Sequence, residues 1–381
     1  MDICVFDHTN PPLMSRSLYK STLNFLIRCS KSPAKGNHLR RLNVLAGMVS
    51  SCIRTKRCSL EGISRPEDED MRQSESRIKQ AKRWLMSKWT DWDTFFAPYI
   101  APLLYRLAEK GEIVIAMDGS ETGQECTTLM LSVIWGKYAI PIVWTARKGG
   151  KGHFSDAAHT ELARKCLSVL PNGRQCRIVL LGDGEFDGQG LRDLCWDNGW
   201  EFVLRTSLDR QVDFGGEQGR LDSVLPLLED RTIVFLECGC GRDNALLWKG
   251  KGFDSPIPLL TNMELGQMAC RYYKLRFKIE TMFKQMKSAG FHLDKSMLSC
   301  PERVANLLLV LSIAFIFTFC TGLLIKKCEK AVICPITRAD RVHRMGPITL
   351  AQKAFSHVSD LAYYLFSILS KNLEDFFSPS G

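Results

Sequence analysis

Residues 112–118 read Glu-Ile-Val-Ile-Ala-Met-Asp, and residues 176–183 read Cys-Arg-Ile-Val-Leu-Leu-Gly-Asp. Both stretches are short and apolar, and each ends in an aspartate, so they predict two buried strands. Asp118 and Asp183 then stand at the carboxyl ends of their strands, at a sheet edge where α/β proteins form their sites. The alternative for each aspartate alone is a turn or a helix cap.

Further strand-like and helical runs surround these two strands. The runs on either side of Gly136-Lys137 predict an antiparallel hairpin. The predicted strands are 127–135, 138–145 and 201–205, and the predicted helices are 156–169 and 187–198. The order β-β-β-α-β-α-β predicts an α/β fold with a mixed sheet, an antiparallel edge, a parallel centre and helices on both faces.

The composition excludes several classes of protein. The 381 residues are 45% hydrophobic and 24% charged, which excludes a wholly disordered chain, a collagen-like fibre and a disulfide mini-protein. The 15 cysteines are scattered, with no Cys-x2-Cys pair, which predicts reduced thiols in a cytosolic protein and no zinc ribbon. The N-terminus has no basic segment followed by an apolar core, so no signal peptide is expected.

Positive charge is concentrated in two segments. The net charge is +10, and residues 1–60 carry ten Lys or Arg against two acidic residues. Residues 271–295 carry seven basic residues against two acidic ones. Clustered cations suit a phosphate backbone, whose neutralisation releases counterions. The alternative is an ordinary solvated surface.

The second basic segment also contains an acid in a distinctive setting. At about 100° per residue, four polar side chains of one predicted helix fall on a single arc of about 60°. These four are Tyr273, Arg276, Glu280 and Lys287. Such a face offers one carboxylate for a metal ion and cations for phosphates. The alternative is a solvated helix face with an Arg276–Glu280 pair.

The spacing Tyr273-x2-Arg276-x3-Glu280-x6-Lys287 resembles the signature of the insertion-sequence-four family of bacterial DDE transposases. Asp118-Gly119-Ser120 and Asp183-x2-Phe186 resemble the family's two upstream motifs, in the same order. The resemblance covers about residues 38–325. One departure is Gly184-Glu185, which stand where many relatives have an arginine.

The resemblance implies a ribonuclease H-like core that is interrupted by a β-rich insertion and preceded by a small helical domain. The expected segments are a basic helical DNA-binding region at 1–110, the first part of the catalytic core at 111–207, the insertion at 208–265, the second part of the core at 266–330 and a helical tail at 331–381. The resemblance also implies that the protein is located in the bacterial cytoplasm and associates with the nucleoid.

The resemblance also implies a site and its partners. Asp118, Asp183 and Glu280 would be the catalytic acids and would bind two Mg²⁺ or Mn²⁺ ions, which prefer hard oxygen ligands. Tyr273, Arg276, Lys287 and Arg205 would contact DNA, mainly its terminal phosphates. Trp248 is a candidate for stacking on an unstacked base, with a core tryptophan as the alternative. The expected partners are transposon ends, target DNA and a second copy in a synaptic complex.

Three alternatives remain at this point. Residues 304–325 form an uncharged apolar run of about 22 residues, which is long enough to span a bilayer, and Lys326-Lys327 follow it. A buried core helix explains the run equally, and the resemblance favours it, so no membrane partner is expected. A non-catalytic DNA-binding protein would explain the basic N-terminus but gives no role to three acids. An inactive transposase copy is the third alternative.

Overall fold

The computed structural model describes most of the chain. The described residues are 18–65, 74–150, 154–172, 176–228, 232–250, 254–327, 336–337, 339–357, 366 and 369. Most of the predicted tail at 331–381 lies outside the described residues. The cysteines within the described residues are free thiols.

Helices form most of the described residues between 18 and 108. Short polar side chains begin two of these helices, because Ser59 accepts a hydrogen bond from Gly62 N–H and Asp91 accepts one from Thr94 N–H. Lys56 ends another helix in the left-handed conformation, with its N–H bonded to the Cys52 carbonyl. The helices are α1 Leu18–Cys29, α2 Gly36–Thr55, α3 Leu60–Ser64, α4 Ser74–Leu85, α5 Trp92–Phe95 and α6 Ala97–Ala108.

Eight strands form one mixed sheet in the order β3-β2-β1-β4-β5-β10-β9-β8. The β1–β4 and β4–β5 pairs are parallel and the other neighbours are antiparallel, which confirms the predicted antiparallel edge and parallel centre. These strands are β1 Glu112–Gly123, β2 Cys126–Trp135, β3 Tyr138–Lys148, β4 Arg177–Gly182, β5 Glu201–Arg205, β8 Ile233–Cys240, β9 Asp243–Trp248 and β10 Ile257–Thr261.

The predicted insertion at 208–265 contributes directly to this sheet. Strand β10 pairs with β5, with Leu259 opposite Arg205, and β9 and β8 extend the sheet beyond it. An open β5 edge would leave backbone donors and acceptors unpaired, and the insertion satisfies them. The remaining two strands, β6 Gln211–Asp213 and β7 Gln218–Arg220, form a separate small hairpin.

In the described part of the chain, six further α-helices pack around the sheet and the N-terminal helices. Helix α10 contacts β1 and β3, α7 contacts β2 and β3, and α8 and α9 contact β5. Their bounds are α7 Asp156–Leu167, α8 Gln189–Asp197, α9 Gly266–Tyr273, α10 Phe277–Met286, α11 Pro301–Lys327 and α12 Pro347–His357.

Helix α11 is the predicted apolar run. It is the one helix among the described residues that is long and apolar enough to cross a membrane, and 94% of its most apolar window is buried inside the protein. Phe317 packs edge-on against Phe25 of α1, with ring centroids 5.0 Å apart. A side chain at Gly322 would stand 2.0 Å from the Pro347 carbonyl oxygen, so this glycine lets α12 approach. This burial favours a core helix over a membrane span.

Candidate active site beside the parallel strands

Asp118 and Asp183 occupy equivalent positions relative to the β1–β4 ladder. The parallel ladder ends where Ala116 pairs with Leu181, and Asp118 and Asp183 each follow two residues later. Asp118 lies within β1, and Asp183 directly follows β4, which ends at Gly182. Strand β1 does not end at Asp118 as predicted, because β2 continues to pair with it as far as Gly123.

The same local geometry fixes one oxygen of each carboxylate. Gly119 N–H donates to Asp118 Oδ1 at 2.8 Å, and Gly184 N–H donates to Asp183 Oδ1 at 2.9 Å. The environments differ, because Asp118 is buried whereas the Asp183 side chain is 36% exposed. The repeated Asp-Gly pair after two apolar runs is the sequence signal of this shared geometry.

The signature residues occupy two helices, so the prediction of a single helix is wrong. Helix α9 ends at Tyr273, residues 274–276 form a turn, and α10 begins at Phe277. Tight hydrogen bonds replace the α-helical ones there, as in Arg276 N–H to the Tyr273 carbonyl at 3.1 Å. Glu280 lies in the first turn of α10.

Three of the predicted site residues contact Asp183 or Glu280. Tyr273 Oη donates to Asp183 Oδ1 at 3.5 Å, and Arg205 Nη1 lies 3.5 Å from the same oxygen. Arg276 Nη2 lies 3.7 Å from Asp183 Oδ2 and donates to Glu280 Oε1 at 2.8 Å. The second aspartate and the signature segment therefore share one site.

Arg276 is the centre of this arrangement. Its side chain is buried at 4% exposure, and its Cζ lies 4.6 Å from the Phe277 ring centroid and 5.7 Å from that of Tyr273. Although burial lowers its pKa, the nearby Asp183, Tyr273, Glu280 and Asp118 side chains raise the pKa of Arg276 above its ordinary value. The Arg276–Glu280 pair therefore joins a buried guanidinium to a carboxylate that is half exposed.

Tyr273 is a neutral hydrogen-bond donor in this site. Burial, followed by the charge of Asp183, raises the pKa of the Tyr273 phenol to about 12. The nearby Arg276 and Arg205 act in the opposite direction and are outweighed. The phenol therefore keeps its proton at neutral pH and can hold the Asp183 carboxylate.

The three acids do not form a closed metal cage. Within the described part of the chain, no three His, Cys, Asp or Glu side chains stand together as a metal-binding group. Asp183 and Glu280 are instead linked through the Arg276 guanidinium, which also interacts electrostatically with Asp118. Arg276 therefore contacts two of the three acids and lies within electrostatic range of the third.

The remaining two predicted residues are Lys287 and Trp248. Lys287 is half-buried and ends α10. Trp248 is buried, because it ends β9 between Ile233 of β8 and Ile257 of β10, and Lys274 Nζ lies 5.1 Å from its ring centroid. Its face is closed to a base in this conformation, which favours the alternative of a core tryptophan.

Sequence reasoning missed a fourth acid near Asp118. Glu185 Oε1 lies 3.2 Å from the position that a side-chain carbon at Gly119 would occupy. Arg147, which stacks on the Phe154 ring at 3.8 Å, is electrostatically coupled to Glu185. The signal was the departure at Gly184-Glu185, which replaces a cation of the resembled family with a carboxylate next to the first strand.

Curated proteins and solved structures give no assignment for this chain. No curated protein matches the sequence significantly. The crystal structure of the NurA nuclease from Sulfolobus solfataricus aligns at TM-score 0.25 and 12% identity, over 44% of this chain and 72% of that one. The structure of Aquifex aeolicus Argonaute aligns at TM-score 0.23 and 9% identity, over 52% of this chain and 28% of that one. At these TM-scores neither likeness bears on fold or function.

A family model gives a direct assignment. The model described as the transposase DDE domain matches residues 118–317, which is more than half of the chain. The match begins at Asp118 and includes Asp183, Glu280 and most of α11. The chain therefore belongs to the family of proteins that carry the transposase DDE domain.

Proposed function

We propose that this protein cuts DNA at the ends of an insertion sequence and joins those ends to target DNA, with Asp118, Asp183 and Glu280 as its catalytic acids. The observation that carries the proposal is the link between Asp183 and Glu280, whose carboxylates share the Arg276 guanidinium although 97 positions separate them in the chain. The equivalent positions of Asp118 and Asp183 relative to the β1–β4 ladder support it. We also propose that the protein is a transposase of the insertion-sequence-four type and that its catalytic core is ribonuclease H-like.

The donor set fits divalent cations with hard oxygen ligands. Asp118, Asp183 and Glu280 would hold two Mg²⁺ or Mn²⁺ ions, since carboxylates suit these metals better than zinc. Asp183 and Glu280 already converge on a cationic group, which supports a shared cation site. When bound, such ions activate a water or a 3′-hydroxyl for in-line attack and stabilise the leaving oxygen.

The surrounding side chains position the acids and the DNA. The Tyr273 hydroxyl donates a hydrogen bond to Asp183 and so orients that carboxylate. Arg205 is 47% exposed beside Asp183, and Lys287 ends α10, so both are proposed to contact phosphates. The exposed Trp89, with Arg41 and Lys88 near its ring, adds a cationic aromatic surface to the proposed DNA-binding region at 1–110.

The chemistry requires two DNA ends and a target. We therefore propose a homodimer that brings both ends together in a synaptic complex. Analytical ultracentrifugation of the protein with duplexes that carry the element's own ends tests this stoichiometry. A complex containing one protein and one end, at saturating concentrations of both, would contradict the dimer but not the catalytic assignment.

Substitution of the acids tests the catalytic assignment. Asp118→Asn, Asp183→Asn and Glu280→Gln should each lower the rate of Mg²⁺-dependent end cleavage by about 100-fold or more, because each removes a ligand charge. Binding to the end duplex should remain. Glu121→Gln is the matched control, since Glu121 is an exposed acid on the same strand as Asp118.

Two outcomes would contradict the proposal. A variant that cleaves at nearly the wild-type rate removes its residue from the catalytic set. Specific DNA binding by the wild type without any cleavage in Mg²⁺ or Mn²⁺ would favour a non-catalytic DNA-binding protein or an inactive copy.

A further inference from the structure

Two arginines of the described residues are buried to the same extent, but their hydrogen bonding differs. Arg192 and Arg276 are each 4% exposed. Arg192 bonds through all three of its nitrogens: Nε to the Asp187 carbonyl, Nη1 to Asp243 and Nη2 to Gln189. Arg276 Nε is buried with no hydrogen-bond partner among the described residues. Burial of a donor without a partner costs free energy, so Arg276 is not held by an optimised set of bonds.

The position of Arg276 is explained by charge. Its Nη2 lies 2.8 Å from Glu280 Oε1 and 3.7 Å from Asp183 Oδ2, so one nitrogen serves both carboxylates. The guanidinium thus stands where the proposed function requires a metal ion. A guanidinium and a divalent cation at the same acids would repel each other strongly, because unit charges about 4 Å apart interact by several kcal/mol near a protein surface.

We propose that the Arg276 guanidinium holds the place of a divalent cation between Asp183 and Glu280, and that metal binding displaces it. This inference rests on the proposed function, since it takes these acids as metal ligands. The placeholder offsets the repulsion between the two carboxylates in the metal-free protein.

The surroundings of Arg276 allow such an exchange. Arg276 stands at the junction of α9 and α10, outside the continuous hydrogen bonding of either helix. The Phe277 and Tyr273 rings lie beside its guanidinium and can stabilise the cation through their π faces when it leaves the acids. The side chains of Asp183 and Glu280 are 36% and 50% exposed, so solvent and ions reach the same oxygens.

Mn²⁺ affinity of the full chain tests the placeholder. Isothermal titration with Mn²⁺ alone should show about tenfold tighter binding to Arg276→Gln than to the wild type, because the variant has lost the competing charge. Arg276→Lys keeps the charge and should bind nearly as the wild type does. Arg205→Gln is the matched control, since Arg205 also contacts Asp183 but is 47% exposed, and its loss should change the affinity little.

The outcomes separate the placeholder from the proposed metal site. Equal or weaker Mn²⁺ binding by Arg276→Gln, or an equal gain in Arg205→Gln, overturns the placeholder while the metal site stands. The metal site itself is tested by Asp183→Asn, which should weaken Mn²⁺ binding. If Asp183→Asn binds as the wild type does, or if neither the wild type nor Arg276→Gln binds Mn²⁺, the metal site fails and the placeholder fails with it.

A second measurement on the wild type avoids any folding defect of a variant. Phenylglyoxal modifies accessible arginines, and mass spectrometry reports each site. Mn²⁺ should increase the modification of Arg276 several-fold, because displacement exposes the guanidinium. Arg192 is the internal control and should stay protected. Unchanged protection of Arg276 at saturating Mn²⁺ overturns the placeholder.

Discussion

The regions around Arg192 and Arg276 use a buried arginine in opposite ways. Arg192 joins α8 to β9 through Asp243, which is itself buried and also accepts a hydrogen bond from Trp196 Nε1 at 2.7 Å. Arg276 instead faces carboxylates that remain partly exposed. A closed network of this kind fixes two elements, whereas a network open to solvent leaves its anions available to another cation. The difference separates a structural ion pair from a candidate site.

The largest expected effect on the free energy of unfolding comes from breaking the closed network of Arg192 and Asp243. Asp243→Asn should lower the free energy of unfolding by about 3–5 kcal/mol, because it leaves the buried Arg192 without its carboxylate. Urea denaturation measures this value. As a control, the double variant Arg192→Met with Asp243→Leu should recover much of the loss, since it buries no charge. A loss below about 1 kcal/mol would erase the contrast between the regions.

Removal of Arg276 should cost less. In metal-free buffer, Arg276→Gln should lower the free energy of unfolding by about 1–2 kcal/mol, because solvent screens the two carboxylates that it leaves behind. The same denaturation with saturating Mn²⁺ should show a smaller deficit, since the metal replaces the missing charge. A deficit as large as that of Asp243→Asn, in both buffers, would make Arg276 a second structural arginine.

Substitution of Glu280, the carboxylate partner of Arg276, should have a smaller effect on the free energy of unfolding. Glu280→Gln should change the free energy of unfolding by less than about 1 kcal/mol, because the Glu280 side chain is half exposed and pairs near the surface. Denaturation in metal-free buffer measures it beside Asp243→Asn. Comparable losses in the two variants would show that both networks are equally closed.

The smallest effect concerns the phenol beside Asp183. The pKa of Tyr273 is raised from 10.0 to about 12, so its neutral form stabilises the folded state at all pH values below 10. That contribution declines as the pH rises from 10 to 12. Tyr273→Phe should therefore lose less stability than the wild type over this interval, as followed by thermal denaturation at several pH values. Parallel losses in both proteins would contradict the assigned shift.

Much of the fold could be predicted because its signals are local. The apolar runs at 112–118 and 176–183 became β1 and β4, and the Gly136-Lys137 turn joins β2 to β3. The apolar run at 304–325 became α11. Each of these features depends on periodicity and turn residues within a short stretch, which a single sequence records.

The rest depends on contacts between distant segments. Pairing with β5 draws the insertion into the main sheet, although β5 ends at Arg205 and β10 begins only at Ile257. Pairing with β2, which follows β1 after a short turn, extends β1 beyond Asp118, and a single apolar run does not record how far its neighbour continues the ladder. The break at 274–276 carries no glycine or proline, so the spacing of the four signature residues placed them together but could not reveal that the guanidinium of Arg276 turns inward.

Helix α11 ties the N-terminal helices to the sheet. Asn306 Nδ2 donates to the Leu85 carbonyl at 2.9 Å, Trp144 Nε1 donates to the Ala305 carbonyl at 2.9 Å, and Phe317 packs on Phe25. A fragment that starts near residue 111 would expose an apolar surface of α11 to solvent and would aggregate. Truncation is therefore a poor way to separate the proposed DNA binding from the proposed catalysis, and point substitutions are better suited to it.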